Sequence, residues 1–349
     1  GGVRGPVPVP GAQAHQDPPG AVAEPFEEGL AVGVVRRHGD LDHRDPRRRR
    51  PRLDRVHELP ADAGMEPLAA VHTGRYLRFL ENIHARWQRV PDASEIIFPN
   101  VHPNAADTVY PASAVGQVGY HVFDGAAPIT RDTWKSSLAS AWTAVHAARE
   151  VLAGAPSCYA LCRPPGHHAG KEIAGGFCYL SNSAIAAQVL RGDYERVAVL
   201  DVDVHHGNGT QDVFYDRADV LTISLHADPV RFYPFFWGAA DERGTGPGEG
   251  CNLNLPLPRG TAGDEYLDAL EDALDAVARF GAGALVVALG LDAYVGDPLT
   301  GLALTTDDFG AIGERIHALG LPTVLVQEGG YPSEALGDNL VAALGAFIR

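Results

Sequence analysis

From about residue 157 onward, short apolar runs alternate with segments of helical period, and most of the runs end in a cluster of polar residues. The runs 158–162, 197–202, 220–225, 284–289 and 323–326 read as buried strands, because they are short and mainly apolar. The intervening stretches 181–191, 264–280, 306–319 and 333–348 repeat apolar residues at helical spacing. Alternation of this kind predicts an α/β fold, a central, mostly parallel sheet with helices on both faces. Such sheets bind ligands at the carboxyl ends of their strands. The polar clusters that follow 162, 202, 289 and 326 are therefore predicted to converge.

The amino-terminal half is less regular. Leu68, Val71, Tyr76, Leu77, Phe79 and Leu80 recur at helical spacing, and so do Trp134, Leu138, Ala141, Trp142, Val145, Ala148, Val151 and Leu152. Both read as amphipathic helices, the second with Asp132 or Thr133 as its cap. Residues 90–130 lack periodicity and read as a long loop, a feature that is usually functional in a compact domain. Residues 1–60 are rich in Pro, Gly and Arg, with nine Arg from Arg36 to Arg55 and little apolar spacing outside Leu30 to Val35. They are expected to form a weakly ordered arm ahead of one catalytic domain over 61–349.

Composition narrows the ligand. With 28 Lys and Arg against 44 Asp and Glu, the formal net charge is −16, which argues against a nucleic-acid partner and suits a small cationic one. The run Arg47 to Arg50 reads as a solvated charge cluster. Four cysteines (Cys158, Cys162, Cys178, Cys251) without a C-x-x-C pair indicate neither a disulfide framework nor a thiolate zinc site, and a cytoplasmic setting is expected. The sequence shows neither an apolar run of the roughly 18 residues that span a membrane nor the apolar stretch of a signal peptide, so no membrane partner is expected.

The chemistry lies in the strand-end clusters. Asp201, Asp203 and His205 alternate over Asp-Val-Asp-Val-His, which in extended backbone puts all three on one face. An isolated Asp-x-Asp is ordinary turn chemistry, but here it lies between an apolar run and a glycine turn. Carboxylate oxygens with one imidazole make a catalytic zinc site, able also to take Fe2+ or Co2+, and Asp292 at another strand end is the candidate third ligand. Most of the 15 histidines are expected to be structural. His167 and His168 differ, because Pro-Pro-Gly presents them as adjacent imidazoles suited to proton transfer, with Asp201 and Asn208 available to orient them. Tyr331, after Gly329-Gly330, is either a donor to a developing oxyanion or part of a turn before the last helix.

RPPGHH over 163–168, GGFCYLSN over 175–182, DVDVHHGNGTQ over 201–211, SLHADP over 224–229, GEGCNLNLPLP over 248–258, LGLDAY over 289–294 and EGGY over 328–331 together resemble the histone deacetylase superfamily, in its acetylpolyamine amidohydrolase-like branch. The resemblance runs from about Pro67 to Arg349. It implies a single-domain, three-layer arginase/deacetylase-type fold and one zinc per chain on Asp203, His205 and Asp292. His167 and His168 become the tandem catalytic histidines, Tyr331 the group that polarises the substrate carbonyl, and Asp201 the partner of His167. It further implies a structural potassium ion at Asp201, Asp203, His205, Ser224 and Leu225. Phe177 and Tyr233 become aromatic walls of a narrow tunnel, beside Gly176 and the small buried thiol of Cys178.

The activity so implied is metal-assisted hydrolysis of an N-acetyl amide, with His168 as the base that later protonates the leaving amine and His167 mainly electrostatic. HADP followed by Phe232 to Trp237, and NLNLPLP, are more similar to the polyamine branch than to histone enzymes. A small cationic acetylated amine is therefore the expected substrate. In that branch an inserted loop narrows the tunnel and helps to form a homodimer. Residues 90–130 correspond to it, with Glu95, Asp107 and Asp124 as candidate ammonium partners. The alternatives are a protein-lysine deacetylase, an arginase-like hydrolase with two metals, and a non-catalytic acyl- or metal-binding regulator. The two histidines and Tyr331 speak against the last, since binding alone needs neither a base nor an oxyanion donor.

Overall fold

The computed structural model describes residues 60–103 and 109–348, together with the backbone of Val34–Arg37 and Leu53–Val56. Residues 31–349 form one compact unit. The strands are β1 (Val34–Arg37), β2 (Leu53–Val56), β3 (Ser157–Ala160), β4 (Val197–Asp201), β5 (Val220–Ala227), β6 (Asn252–Leu257), β7 (Ala284–Leu289) and β8 (Thr323–Gln327). Among the described residues they form one sheet in the order β2-β1-β3-β8-β7-β4-β5-β6. The six strands from β3 to β6 are parallel, and β1 and β2 add an antiparallel edge. The helices are α1 (Glu66–Ala69), α2 (Gly74–Trp87), α3 (Ala114–His121), α4 (Thr133–Leu152), α5 (Asn182–Leu190), α6 (Asn208–Phe214), α7 (Gly263–Phe280), α8 (Thr306–Ala318) and α9 (Leu336–Ile348).

The side-chain period of two along a strand builds three layers. On β4, Val197 and Val199 pack with Phe79, Val145 and Ile185 of α2, α4 and α5, whereas Ala198 and Leu200 pack with Leu270, Ile312 and Ala343 of α7, α8 and α9. Burial on both faces explains why β4 and β7 read as near-continuous apolar runs, while β5 is buried throughout with Thr222, Ser224 and His226 among its apolar residues. From β4 the chain moves outward to β5, and from β7 it moves the other way to β8. The gap between the ends of β4 and β7 is thus a topological switch point, where such sheets hold ligands.

Several expectations need correction. Residues 90–130 are not one loop: α3 lies within them, started by the Ser113 side chain, which accepts the Gly116 N–H at 3.1 Å. Gly116 and Gly119 weaken the helical signal of this eight-residue segment. The first expected helix is two, α1 and α2, because Thr73 caps a new start by accepting the Tyr76 N–H. β6 does not read as a strand because its inward positions are Asn252 and Asn254 rather than apolar residues. Asp132 occupies the N-cap of α4 without a capping side-chain bond. Most of the expected 1–60 arm lies outside the described residues, and its two short strands were not anticipated. No helix among the described residues is long and apolar enough to cross a membrane.

Candidate active site

The loops after β4, β7 and β8 meet at the switch point. Asp203 Oδ1 and Asp292 Oδ2 lie 3.1 and 3.2 Å from His205 Nδ1, and all three residues are buried. Their ligand atoms fall within 4.8 Å of one another. The route to this geometry differs from the extended segment that the spacing suggests. β4 ends at Asp201, and two successive side-chain turns follow, in which Asp201 Oδ1 accepts the Asp203 N–H at 3.0 Å and Asp203 Oδ1 accepts the His205 N–H at 2.9 Å. Short acidic side chains make such turns with backbone two residues ahead. The remaining carboxylate oxygens are held as well, Asp203 Oδ2 by the Gly329 N–H at 2.7 Å and Asp292 Oδ1 by the Val204 N–H at 3.1 Å. Position 329 admits only glycine, since a Cβ there would sit 2.1 Å from Asp292 Oδ2.

This donor set fits a divalent metal. Two carboxylates share a buried site, which is unfavourable unless a cation lies between them. Burial, and then the Asp203 carboxylate, push the Asp292 carboxyl up to about 6. Burial opposes a charged His205, yet Asp203 and Asp292 raise its imidazole to about 9. A metal replaces that proton with a larger charge. His167, Cys178 and Glu328 make a second cluster within 4.8 Å, but its atoms are otherwise engaged. His167 Nδ1 bonds Asp201, Glu328 Oε2 accepts two backbone N–H groups, and burial holds the Cys178 thiol well above its ordinary value.

The two adjacent imidazoles have partners of opposite kind. His167 Nδ1 lies 2.9 Å from Asp201 Oδ2 and His168 Nδ1 lies 2.7 Å from Asn208 Oδ1, with ring centroids 4.0 Å apart. The amide oxygen of Asn208 only accepts, so His168 Nδ1 carries a proton and Nε2 presents a lone pair. Burial, then the neighbouring His167 and His205, hold His168 well below its ordinary value. Burial works against the charged form of His167 too, but the carboxylates of Asp203 and Asp201 outweigh it and raise His167 well above. Two titratable groups driven apart by their surroundings mark an acid/base pair.

Tyr331 packs edge-on against Phe177, with centroids 5.8 Å apart, and its N–H is anchored by Asp297 Oδ2 at 2.8 Å. Burial and the carboxylates of Asp292 and Asp203 raise its hydroxyl well above the ordinary value, so it stays a phenol and a donor. Phe177 has φ +68°, a strained conformation for a bulky residue, directly after Gly176 at φ +52°. The Tyr233 ring stands perpendicular to His168 at 5.0 Å, and its hydroxyl donates to Asp124 Oδ2 at 2.5 Å. The same carboxylate accepts the Gly176 N–H at 3.1 Å, and Cys178 follows as a buried thiol. Phe177, Tyr233, Gly176 and Cys178 therefore lie together around the tandem histidines and Tyr331.

Of the candidate ammonium partners, Asp124 lies at this wall, Glu95 is exposed, and Asp107 is outside the described residues. Of the expected potassium residues, Asp201 and Ser224 are register partners on β4 and β5 and line one cavity of about 10 Å³. Asp203, His205 and Leu225 do not line it. Sequence reasoning did not assign Glu328, Ser183 or Asp297. Glu328 stands inside the EGGY motif and Asp297 in Gly-Asp-Pro, but their partners are 34 to 162 residues away, beyond the reach of local spacing.

The histone deacetylase domain family matches residues 46–347. Acetylpolyamine amidohydrolase of Burkholderia pseudomallei is 49% identical over 292 residues, covering 82% of this chain and 84% of its own length. Acetylpolyamine amidohydrolase 1 of Pseudomonas aeruginosa is 47% identical with the same coverage. The crystal structure of acetylpolyamine aminohydrolase from Burkholderia pseudomallei matches with a TM-score of 0.80 at 48% identity, over 82% of this chain and 84% of that one. With the family matched across nearly all of the described fold and relatives this similar over four fifths of its length, the chain belongs to the histone deacetylase superfamily, in its acetylpolyamine amidohydrolase-like branch, and is an enzyme of the deacetylase class.

Proposed function

We propose that this chain removes acetyl groups from N-acetylated amines, acetylpolyamines foremost, with one zinc ion held by Asp203, His205 and Asp292. The observation that carries the reading is the hydrogen bond from His168 Nδ1 to Asn208 Oδ1 at 2.7 Å, which leaves a neutral imidazole lone pair beside that donor set. When bound there, zinc supplies Lewis-acid polarisation of the acetyl carbonyl and lowers the pKa of water, and Fe2+ or Co2+ suits the same donors. His168 Nε2 takes the proton of the attacking water and later delivers it to the leaving amine. His167, bonded to Asp201 and close to Asp203, contributes positive charge to the transition state. Tyr331 donates its phenol hydrogen to the developing oxyanion.

Support for a slender cationic substrate comes from the aromatic walls at Phe177 and Tyr233, from Asp124 beside them, from the net charge of −16, and from the names of the relatives at 49% and 47% identity. The reading includes structural potassium at Asp201, Asp203, His205, Ser224 and Leu225. Of that set, only Asp201 and Ser224 line the small cavity described above, together with His206 and Thr210, whose Nδ1 and Oγ1 are buried without a hydrogen-bond partner, and the support for an ion there extends to Asp201 and Ser224 alone. It also includes a cytoplasmic homodimer, with residues 90–130 at the rim or the interface. In that segment Phe98 and Val101 are each 47% exposed; elsewhere in the fold Cys158, Cys162, Cys178 and Cys251 are free thiols.

Steady-state turnover of N-acetylputrescine and of an acetyl-lysine peptide tests the substrate. Hydrolysis of the polyamine with slow peptide turnover is expected, together with loss of activity on chelation and recovery at one zinc per chain. Rapid peptide hydrolysis without polyamine turnover points instead to a protein-lysine deacetylase.

A further inference from the structure

We propose that Glu328 is a positioning residue, a carboxylate clasp that fixes the tandem-histidine loop at its working distance from the metal ligands. Glu328 is 5% exposed. Its Oε2 accepts the N–H of Gly166 at 2.6 Å and of His167 at 3.0 Å, and its Oε1 accepts the Ser183 hydroxyl at 2.7 Å. The next residue along the chain, Gly329, donates its N–H to the metal-ligand candidate Asp203. Two consecutive residues at the end of β8 thus hold the two halves of the site, the imidazole loop and the carboxylate floor.

The loop is gripped from its other side as well. The His167 carbonyl accepts the N–H of Gly209 at 2.9 Å and of Thr210 at 3.1 Å in α6, the helix whose first residue, Asn208, orients His168. His167 is therefore held at both its N–H and its C=O. Without an acceptor at Glu328, the N–H groups of Gly166 and His167 become buried donors without partners, a costly condition. The loop relieves it by turning, and turning it swings both imidazoles. A misplacement of about 1 Å at a reacting group can cost about 100-fold in rate.

The inference rests on the acetyl-amide reading of this site, and two variants separate reach from charge. Gln at 328 keeps the length: its carbonyl oxygen accepts both N–H groups and its amide donates to Ser183. Asp keeps the charge but shortens the arm by roughly 1.5 Å. For Glu328→Gln, kcat on N-acetylputrescine is expected within about threefold of wild type. For Glu328→Asp, kcat is expected to fall about 100-fold with KM and bound zinc per chain unchanged and the melting midpoint lowered by only a few degrees. The clasp is overturned if the Asp variant is as active as the Gln variant or more so, or if its loss of kcat is matched by loss of zinc or of folded protein. If the Asp variant does not fold, Ser183→Ala decides: a kcat down about fivefold at unchanged KM supports the clasp, and an unchanged kcat overturns it. Wild-type protein that hydrolyses no acetyl amide overturns the functional reading itself, separately from these outcomes.

Discussion

At the floor of the site, where β4, β7 and β8 end, the carboxylates of Asp203, Asp292 and Glu328 are buried and both oxygens of each are engaged. At its rim, Phe235 and Phe236 are 54% and 81% exposed, and their rings are arranged edge-on to Tyr233 and Trp237. The contrast teaches where precision is stored. A floor fixed by backbone hydrogen bonds from several strand ends holds reacting groups to a fraction of an ångström, as chemistry demands. A rim of exposed rings tolerates adjustment and acts on which substrate enters. Substitutions at the floor should lower kcat by orders of magnitude, and substitutions at the rim should move KM by small factors.

The largest effect is expected at His168. His168→Ala removes the group proposed as base while Asp203, His205 and Asp292 keep their mutual bonds, so kcat should fall about 10²–10⁴-fold with zinc content retained. Loss of less than tenfold, measured with metal analysis on the same sample, would remove His168 from the role of base. Tyr331→Phe comes next, with kcat down about 10²–10³-fold and KM little changed. The ring should stay in place, because its backbone is anchored by Asp297 and its edge faces Phe177. A KM that rises in step with a modest fall in kcat would make Tyr331 a wall rather than a donor.

One step behind the floor, His72 tests stability instead of rate. Its Nε2 accepts the Ser181 N–H at 3.0 Å, so Nδ1 carries the proton that it donates to the Gly170 carbonyl at 2.9 Å. Burial lowers it to about 4, against about 6.5 in the unfolded chain. Above pH 6.5 neither state is protonated and the contribution is complete. As the pH falls from 6.5 to 4 the unfolded chain binds a proton that the folded one refuses, and up to about 3 kcal/mol of stability is lost. In His72→Gln the slope of unfolding free energy against pH should be smaller by about one proton across that window, as urea melts at pH 6.5 and 4.5 would show. Equal slopes in the two proteins would mean that His72 is protonated in the fold.

The floor was largely legible in the sequence because each of its first groups belongs to a short motif at the end of an apolar run. Asp203, His205, Asp292, His167 and His168, with the partners Asp201 and Asn208, all lie at or after strand ends, and the fold brings them together. What could not be read acts across long separations: Glu328 holds Gly166, Asp297 holds Tyr331, and Asp124 holds Tyr233. The turn geometry of Asp201 to His205 was also hidden, because alternate spacing looks the same in a strand and in successive side-chain turns. Likewise α3 and β6 carry glycine or inward asparagine where a pattern needs apolar residues.

The smallest effect is expected at the rim. Phe236 is the most exposed ring there, and it lies 5.9 Å from Trp237 and 6.4 Å from Phe235. Truncating an exposed ring costs little stability, so Phe236→Ala should shift unfolding by less than about 0.5 kcal/mol. If the rim attracts a substrate ammonium through ring faces, losing one exposed face is worth about 0.5–1 kcal/mol, which raises KM for N-acetylputrescine roughly two- to fivefold and leaves kcat alone. A neutral substrate of the same length, N-acetylbutylamine, separates the two roles of an aromatic wall. An unchanged KM for the neutral amide alongside a raised KM for the cationic one assigns the rim to charge recognition. An equal rise in both makes it an apolar wall. A fall in kcat with either substrate would break the division between floor and rim, because an exposed ring would then be setting the geometry of the reaction.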